Sequence, residues 1–446
     1  MTDWMMYRFP PQGGGPSRPR TAQVEPQAPS DFSTHDALGR VISSGVVVGS
    51  SLTPPPVHAM DFSRPPITSV LAQSTRDDAM DASTTVFTLR HGRRYLHDST
   101  YPLPCDLPEL NRQNLYTSLA MKVFGKPICA PQMTSNPPSK VLDVGCGGGY
   151  WASLCHDYFS SLGHDNVSFT GVDIVSLAPD FSKQGMNWKF IQHDLRRVPL
   201  PFDDAEFDLL VLKDLSHAVP LGTSSQRMLD ECCRVLKPGG ILEIWETDHV
   251  IRSLQPTPLS LANVRKEDSQ QARATGTFPI FPGTPFVLAQ NKFLQDFNQW
   301  LESALDKRKL SPSPCTRIAG ILLQEDTMSE VDFRRFAIPL DEMRWEREGE
   351  KSSKRREEST RRKPQKVAEH SSLTEEQAAV RYTALMIVIQ HIESLEPILK
   401  DASGKNAEEW QRWWAWMMSD LLENHSANNG ECLEIGAWWA RKVGMS

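Results

Sequence analysis

Short apolar segments alternate with helical ones between residues 140 and 245. The apolar segments are four to seven residues long, as buried strands are, and apolar residues recur at helical spacing in the segments between them. This alternation predicts an α/β fold with a mostly parallel sheet and right-handed crossovers. The predicted strands are 141–144, 167–173, 188–193, 207–212 and 241–245, and the predicted helices are 150–162 and 226–236. Pro238, Gly239 and Gly240 are expected to stop the second helix.

Two segments lack this periodicity. Residues 1–85 contain eleven of the 33 prolines and are predicted to be a disordered tail. Its apolar run 46–48 is either a docking motif or part of that tail. Between residues 344 and 366, ten Lys and Arg face five Glu, which predicts a charged, disordered loop. The clusters 354–356 and 361–363 in this loop are either nuclear import signals or solvated surface.

These breaks divide the chain into five parts. They are a disordered tail (1–85), a cap segment with a helix (86–139), a core (140–342) with a cap insertion (250–288), a charged loop (343–370) and C-terminal helices with a last strand (371–446). The insertion carries Phe278, Phe281 and Phe286, which either cap a substrate cavity or bind a partner.

Charge and composition exclude several classes of protein. The net charge of −7 lacks the basic footprint that broad nucleic-acid binding needs. No apolar run reaches the roughly 18 residues of a membrane span, and the N-terminus shows no secretion signal, so a cytoplasmic or nuclear location is expected. The eight cysteines form no C-x-x-C pair and no histidines have zinc-site spacing, so no metal site is predicted.

The strongest chemical signal follows the first predicted strand. Asp143 is followed by Gly145, Gly147 and Gly149, and then by a helix. Glycines let the backbone approach a ligand closely, and the helix N-terminus offers free N–H groups to a carboxylate. Dinucleotide sites have a similar loop, but Asp143 would repel a pyrophosphate and attract an ammonium group.

Two more acids follow the next predicted strands. Asp173 ends the second strand, where a carboxylate can accept both hydroxyls of a ribose. Asp194 and Leu195 follow the third strand, which places an acceptor near an adenine amine. Adenine, ribose, carboxylate and ammonium together predict S-adenosylmethionine as the cofactor.

This constellation resembles the class I S-adenosylmethionine-dependent methyltransferases, whose motif reads D-x-G-x-G-x-G. The likeness covers about residues 140–250, including Leu236 to Gly240 before the fifth strand. It implies a Rossmann-like seven-stranded methyltransferase sheet with helical insertions that ends in an antiparallel pair. Residues 331–340 and 432–441 would be its sixth and seventh strands. Helices are predicted at 373–399, opened by a capping box of Ser372 and Glu375, and at 407–422.

A narrower resemblance lies upstream of the sheet. Gly92-Arg93-Arg94-Tyr95, followed by Tyr101-Pro102-Leu103-Pro104, Asp106, Glu109 and Arg112, is similar to the entry segment of the fungal LaeA-like methyltransferases. From its residues alone this segment is a Pro-rich turn that leads into an amphipathic helix at 107–124, with Asp106 as the N-cap. The likeness implies that this helix lies across the cofactor mouth, which Tyr101 and Arg112 line. It also implies a nuclear regulator that acts with velvet-type protein partners and couples development to secondary metabolism.

The catalytic candidates lie after the fourth and fifth strands. They are Lys213, Asp214, His217, Glu246, Asp248 and His249. Lys213 is also assigned to the cofactor site, and His217 is the predicted general base because its ordinary pKa lies near neutrality. The methyl acceptor would be a protein or a small molecule. The alternative function is an interaction module in a regulatory complex that binds the cofactor without efficient catalysis.

Overall fold

The computed structural model describes residues 87–97, 100–256, 264–348 and 371–444. The predicted tail at 1–85, with its apolar run 46–48, and both basic clusters of the charged loop lie outside the described residues.

The strands of the described residues form a small hairpin and one large mixed sheet. In chain order they are β1 (Phe87–Arg90), β2 (Arg93–Leu96), β3 (Lys140–Val144), β4 (Ser168–Asp173), β5 (Trp188–Gln192), β6 (Phe207–Lys213), β7 (Leu236–Thr247), β8 (Arg252–Leu254), β9 (Phe278–Pro279), β10 (Phe286–Leu288), β11 (Met328–Pro339) and β12 (Glu431–Lys442).

The helices of the described residues pack on the two faces of the large sheet. They are α1 (Leu107–Phe124), α2 (Gln132–Ser135), α3 (Tyr150–Ser161), α4 (Thr223–Val235), α5 (Lys266–Thr275), α6 (Lys292–Asp306), α7 (Ile318–Leu323), α8 (Glu375–Ser394), α9 (Glu396–Ser403) and α10 (Ala407–Leu422). Among these described helices, none is both long enough and apolar enough to cross a membrane.

The large sheet has the strand order β10-β8-β12-β7-β6-β3-β4-β5, and β11 pairs with β12 and β9. Strands β3 to β7 run parallel to one another, whereas β12 is antiparallel to both β7 and β11. The predicted α/β Rossmann-like fold is thereby confirmed, including its closing antiparallel pair. Three short strands from the insertion, β8, β9 and β10, extend the predicted seven to a ten-stranded sheet.

The parallel strands are buried on both faces because their side chains alternate between two cores. On β3, Val141 packs into one core while Leu142 and Val144 pack into the other. On β6, Val211 and Leu210 divide in the same way. Continuous apolar strands of this kind are typical of a parallel sheet covered by helices on both sides.

Three local predictions differ from the structure. Strand β7 begins at Leu236 directly after α4, so the Pro-Gly-Gly segment lies inside the strand and not before it. The predicted helix 373–399 is divided at Leu395, because Pro397 begins a new helix there. Its capping box is formed by Thr374 and Gln377, not by Ser372 and Glu375. Ser372 instead donates to the Glu342 carboxylate through both its backbone N–H and its hydroxyl.

A buried carboxylate fastens the chain after α1 to the sheet. Glu243 on β7 is fully buried and accepts hydrogen bonds from the backbone N–H groups of Cys129 and Ala130, at 2.7 and 2.9 Å, and from the Trp245 indole. These donors have little access to water, so each depends on this one carboxylate.

Glu243→Ala is expected to lower the free energy of unfolding by about 2–4 kcal/mol, because it leaves three buried donors without an acceptor. Chemical denaturation measures the change. The control is Glu376→Ala, which removes an exposed ion pair with Lys122 and should cost less than about 1 kcal/mol. Equal losses in the two variants would contradict the assigned role of Glu243.

Candidate functional site

One cavity lies at the carboxyl ends of the parallel strands, where α/β sheets bind ligands. Residues that follow β3, β4, β5, β6 and β7 all line it, and α1, α6, α8 and the segment before α1 contribute further walls. Of the residues predicted from the sequence, the lining includes Tyr101, Arg112, Gly145, Gly147, Asp173, Asp194, Leu195, Lys213, Asp214, His217, Asp248 and His249.

The glycine loop enters the cavity between β3 and α3. Gly145, Gly147 and Gly149 have φ angles of 70°, 51° and 66°, in the left-handed region that favours glycine. The N–H of Gly145 donates to the Val172 carbonyl at 2.8 Å, which ties the loop to β4. A Cβ atom on Gly145 would collide with the Leu215 side chain. Gly149 lies behind the loop, away from the cavity lining, and begins α3.

Asp173 lies at the cavity wall with a fixed orientation. Its Oδ2 accepts the N–H of Gly147 at 2.8 Å, and its Oδ1 accepts the N–H of Ile174 at 2.7 Å. Burial raises the pKa of this carboxyl, although the backbone donors oppose the shift. Oδ1 also accepts the more distant N–H of Val175 at 3.5 Å, whereas Oδ2 keeps a further lone pair, so the group can still accept a hydroxyl donor from a ligand.

Asp143 lies behind the loop and does not line the cavity. It is 1% exposed, and neither of its carboxylate oxygens has a hydrogen-bond partner. Burial raises its pKa to about 7, while the positive charge of Lys213 opposes the shift. The structure thus places the acidic residue of the motif under the loop and not in the cavity lining.

Asp194 lies at the cavity but is already paired. Arg196 donates to its carboxylate from the side chain at 2.8 and 2.9 Å and from the backbone at 3.0 Å. Burial raises the pKa of Asp194, but the hydrogen bonds and charge of Arg196 outweigh it and leave the pKa lowered. Leu195 beside it adds an apolar surface to the cavity.

Helix α1 covers the cavity from one side, and Asp106 caps its N-terminus as predicted, accepting from the N–H of Glu109. Arg112 donates two hydrogen bonds to Glu109, at 2.9 and 2.7 Å. Glu109 also accepts from the hydroxyl of Ser394 on α8, at 2.8 Å. Tyr101 lines the same wall, where burial raises its pKa well above the ordinary value.

The predicted base, His217, lies in a short 3₁₀ turn after β6. It is 3% exposed, and its Nε2 has no hydrogen-bond partner. Burial, assisted by the charge of Arg112, lowers its pKa to about 3. The imidazole is therefore neutral at pH 7 but is a weaker base than its ordinary pKa suggests.

The structure also brings a histidine from the far end of the chain to this site. His391 on α8 lines the cavity beside His217 and His249. In the sequence, His391 stands out only as a polar residue within the apolar pattern of a helix. That pattern does not indicate which residues lie beside it.

Glu246, near the end of β7, and Asp248, directly after it, have different hydrogen-bond partners. Glu246 is buried and accepts from both the N–H and the hydroxyl of Ser216. Its pKa is raised to about 8, first by burial and then by Asp214. Asp248 lies 3.5 Å from the Arg335 guanidinium, next to Glu434, and accepts from the N–H of Cys315. Asp248 is therefore part of a structural charge network.

The phenylalanines of the insertion lie away from the cavity lining. Phe286 packs under the Arg252 guanidinium at 4.4 Å, and Phe278 packs against Trp345. Phe278 and Phe281 line a second, more open cavity beside α5. Ile251, at the start of the insertion, lines the main cavity.

The lining is suited to S-adenosylmethionine. Asp173 offers carboxylate acceptors to a ribose, Leu195 and Ile174 offer apolar surface, and the carboxylates of Asp173 and Asp214 bring negative charge to the lining when ionised. A sulfonium or ammonium group gains from such negative charge in a site of low dielectric constant.

Comparison with known proteins identifies the domain. Residues 141–240 match the family described as "Methyltransferase domain". No curated protein matches the chain. Similar solved structures include the PH0226 protein of Pyrococcus horikoshii OT3, which is 27% identical over 32% of this chain and 63% of that protein, with a TM-score of 0.25.

Two further similar structures contain S-adenosylhomocysteine. Phospholethanolamine N-methyltransferase 2 of Haemonchus contortus is 12% identical over 74% of this chain and 57% of its own, with a TM-score of 0.32. The N-methyltransferase NodS of Bradyrhizobium japonicum WM9 is 17% identical over 32% of this chain and 63% of its own, with a TM-score of 0.23. TM-scores of this size carry no functional inference, so the assignment depends on the matched domain. Residues 141–240 are a methyltransferase domain, and its cofactor is S-adenosylmethionine.

Proposed function

We propose that the chain methylates a protein or small-molecule acceptor that enters this cavity opposite the glycine loop. The supporting observation is that the cofactor candidates Gly145, Gly147 and Asp173 share one cavity with Lys213 and His217. S-adenosylmethionine, when bound, supplies a methyl group on a positively charged sulfur. The protein then has to position the acceptor in line with that group and remove its proton.

The surrounding residues have separate tasks in this proposal. Asp173 orients the cofactor, because its own direction is fixed by backbone N–H groups. Helices α1 and α8 cover the cavity and limit the access of water. His217 remains the proposed base, since its Nε2 lone pair has no partner. Its low pKa suits an acceptor whose proton becomes acidic as the bond to the methyl group forms.

We further propose that the chain is a LaeA-like regulator with velvet-type partners. Support comes from the segment that carries this resemblance, whose residues form one connected network. Arg93 donates two hydrogen bonds to Asp106, the residue that caps α1. Tyr95 of the same hairpin donates to the Ser394 carbonyl on α8 at 3.0 Å. The motif thus links the hairpin to both helices that cover the cavity.

Asp173→Ala is expected to weaken S-adenosylmethionine binding about 10- to 100-fold, because hydrogen bonds to a charged group are worth about 1.5–3 kcal/mol. Calorimetry on the full chain measures the affinity. Asp157→Ala, an exposed position on α3, is the control and should bind like the wild type. Equal binding by both variants would contradict the assigned cofactor site.

A labelling experiment on the same purified chain distinguishes an active methyltransferase from an interaction module that only binds the cofactor. Wild-type chain and labelled cofactor are incubated with an extract, and labelled proteins and small molecules are identified together with co-purifying partners. Transfer that is lost with Asp173→Ala supports the enzyme. Tight cofactor binding without any labelled product would support the interaction module.

Asp143→Asn is expected to change the pH dependence of stability. A carboxyl whose pKa is about 7 in the folded chain and near 3.8 when unfolded stabilises the fold at low pH, and that contribution is lost as pH rises through 7. The variant should therefore exceed the wild type in free energy of unfolding by about 2–4 kcal/mol more at pH 8 than at pH 4. Urea denaturation at both pH values measures this difference. Asp157→Asn is the control, and a pH-independent difference for Asp143→Asn would argue against the buried, unpaired carboxyl.

Deletion of residues 351–366 is expected to reduce the nuclear fraction of the fluorescently tagged chain, because it removes both basic clusters. A linker of equal length with all basic residues replaced by Gly or Ser should have the same effect. Unchanged nuclear signal in both variants would reject these clusters as an import signal.

A further inference from the structure

Three histidines from distant parts of the chain meet in the main cavity. His217 follows β6, His249 follows β7, and His391 lies on α8. The ring centroids of His217 and His249 are 3.8 Å apart. The ring centroid of His391 lies 5.2 Å from that of His217 and 5.5 Å from that of His249. One ring nitrogen of each histidine lies within 4.8 Å of those of the other two.

These rings are deeply buried and incompletely hydrogen-bonded. His217, His249 and His391 are 3%, 5% and 9% exposed. Nε2 of His217 and Nε2 of His391 have no hydrogen-bond partner. A buried polar atom without a partner carries a desolvation cost, and two such atoms beside one cavity indicate a ligand that completes them.

The third histidine is held by a hydrogen-bonded relay. The Ser216 hydroxyl lies 2.8 Å from Nε2 of His249 and 2.8 Å from Oε2 of Glu246. When this hydroxyl donates to Glu246, it accepts the Nε2–H of His249, which leaves the Nδ1 lone pair of His249 available. Relays of this kind orient histidines that bind metals.

We propose that His217, His249 and His391 bind one divalent transition-metal ion of the zinc type. Three neutral imidazoles form a donor set that suits Zn²⁺, and three protein ligands leave a fourth position open. Ligand atoms of a tetrahedral zinc site are roughly 3.4 Å apart, given bonds of about 2.1 Å. The observed spacing of up to 4.8 Å therefore requires the side chains to close by up to about 1.4 Å.

The charges around the cluster are compatible with a cation. Arg112, whose charge acts on the three histidines, is paired with the Glu109 carboxylate through two hydrogen bonds, which offsets part of its repulsion of a cation. Glu246 adds a carboxyl behind His249. A metal ion here would also make His217 a ligand and no longer a base. Its open position would then face the cavity and bind an oxygen or nitrogen of the methyl acceptor, a role that depends on the proposed function.

The test uses the full chain, purified without a polyhistidine tag, stripped with a chelator and titrated with Zn²⁺ or Co²⁺. We expect one equivalent of zinc by elemental analysis and visible d–d absorption bands for the cobalt form. His249→Ala and His391→Ala should each weaken binding of either ion at least about 100-fold, since loss of a ligand exceeds the 10- to 100-fold effect of an outer-shell change. His164→Ala, at an exposed turn, is the control and should bind like the wild type.

Two further measurements, thermal melting and Zn²⁺ binding by a Ser216→Ala variant, cover the case in which a variant of a metal-binding histidine unfolds. Thermal melting identifies such a variant, and Ser216→Ala, which removes only the relay, should then weaken Zn²⁺ binding about 10-fold. Absence of stoichiometric metal in the wild type, or binding that none of the His249, His391 and Ser216 variants weakens, would overturn the proposal. Binding of S-adenosylmethionine, measured in parallel, separates this outcome from failure of the proposed methyl transfer.

Discussion

The buried ion pair between Arg112 and Glu109 is the interaction on which the cavity depends. Its carboxylate is shared between two helices, because Glu109 on α1 also accepts the hydroxyl of Ser394 on α8. Two charges removed from water cost several kcal/mol unless their geometry and additional hydrogen bonds compensate. The pair therefore stabilises the fold only while both helices stay in place, and this couples closure of the cavity to the packing of the C-terminal helices.

The same pair also shapes the chemistry of the cavity. The Arg112 guanidinium acts together with burial to lower the pKa of His217 and of its two histidine neighbours. On the other side of the cavity, burial raises the pKa of Asp143 and of Asp173. One end of the cavity thus has the Asp173 carboxyl in its wall and Asp143 behind it, and a bound cation would favour the ionised form of both; the other end is made of neutral imidazoles. A cationic cofactor is attracted to the first, and an uncharged acceptor is accommodated by the second.

How far the sequence predicts this structure depends on the distance over which each feature is encoded. The five parallel strands and the glycine loop arise from patterns of a few residues, and the rule that parallel strands share one carboxyl edge brings Gly145, Asp173 and Lys213 together. The predicted N-terminal capping box of α8 is wrong by two residues, because Ser372 hydrogen-bonds to Glu342, and the local sequence does not show this tertiary contact. The sequence also does not predict that His391 lies beside His217, since their contact depends on how α8 packs against α1 and the sheet. Asp143 was expected at the loop entrance, and only the backbone conformation of the loop shows it to lie behind the cavity wall.

The histidine end of the cavity is costly for a purely structural role. Apolar side chains of similar volume would fill the same space without buried nitrogen atoms that lack partners. Two buried polar groups elsewhere in the described chain, Glu243 and Arg381, are by contrast well hydrogen-bonded, since each makes three or more hydrogen bonds. The contrast lies at the point where the ends of β6 and β7 meet α8. The Ser216 relay fixes the ring of His249, while the Nε2 atoms of His217 and His391 remain without partners beside the cavity. The three rings therefore have a defined orientation towards the cavity, which a binding site requires and a packed core does not.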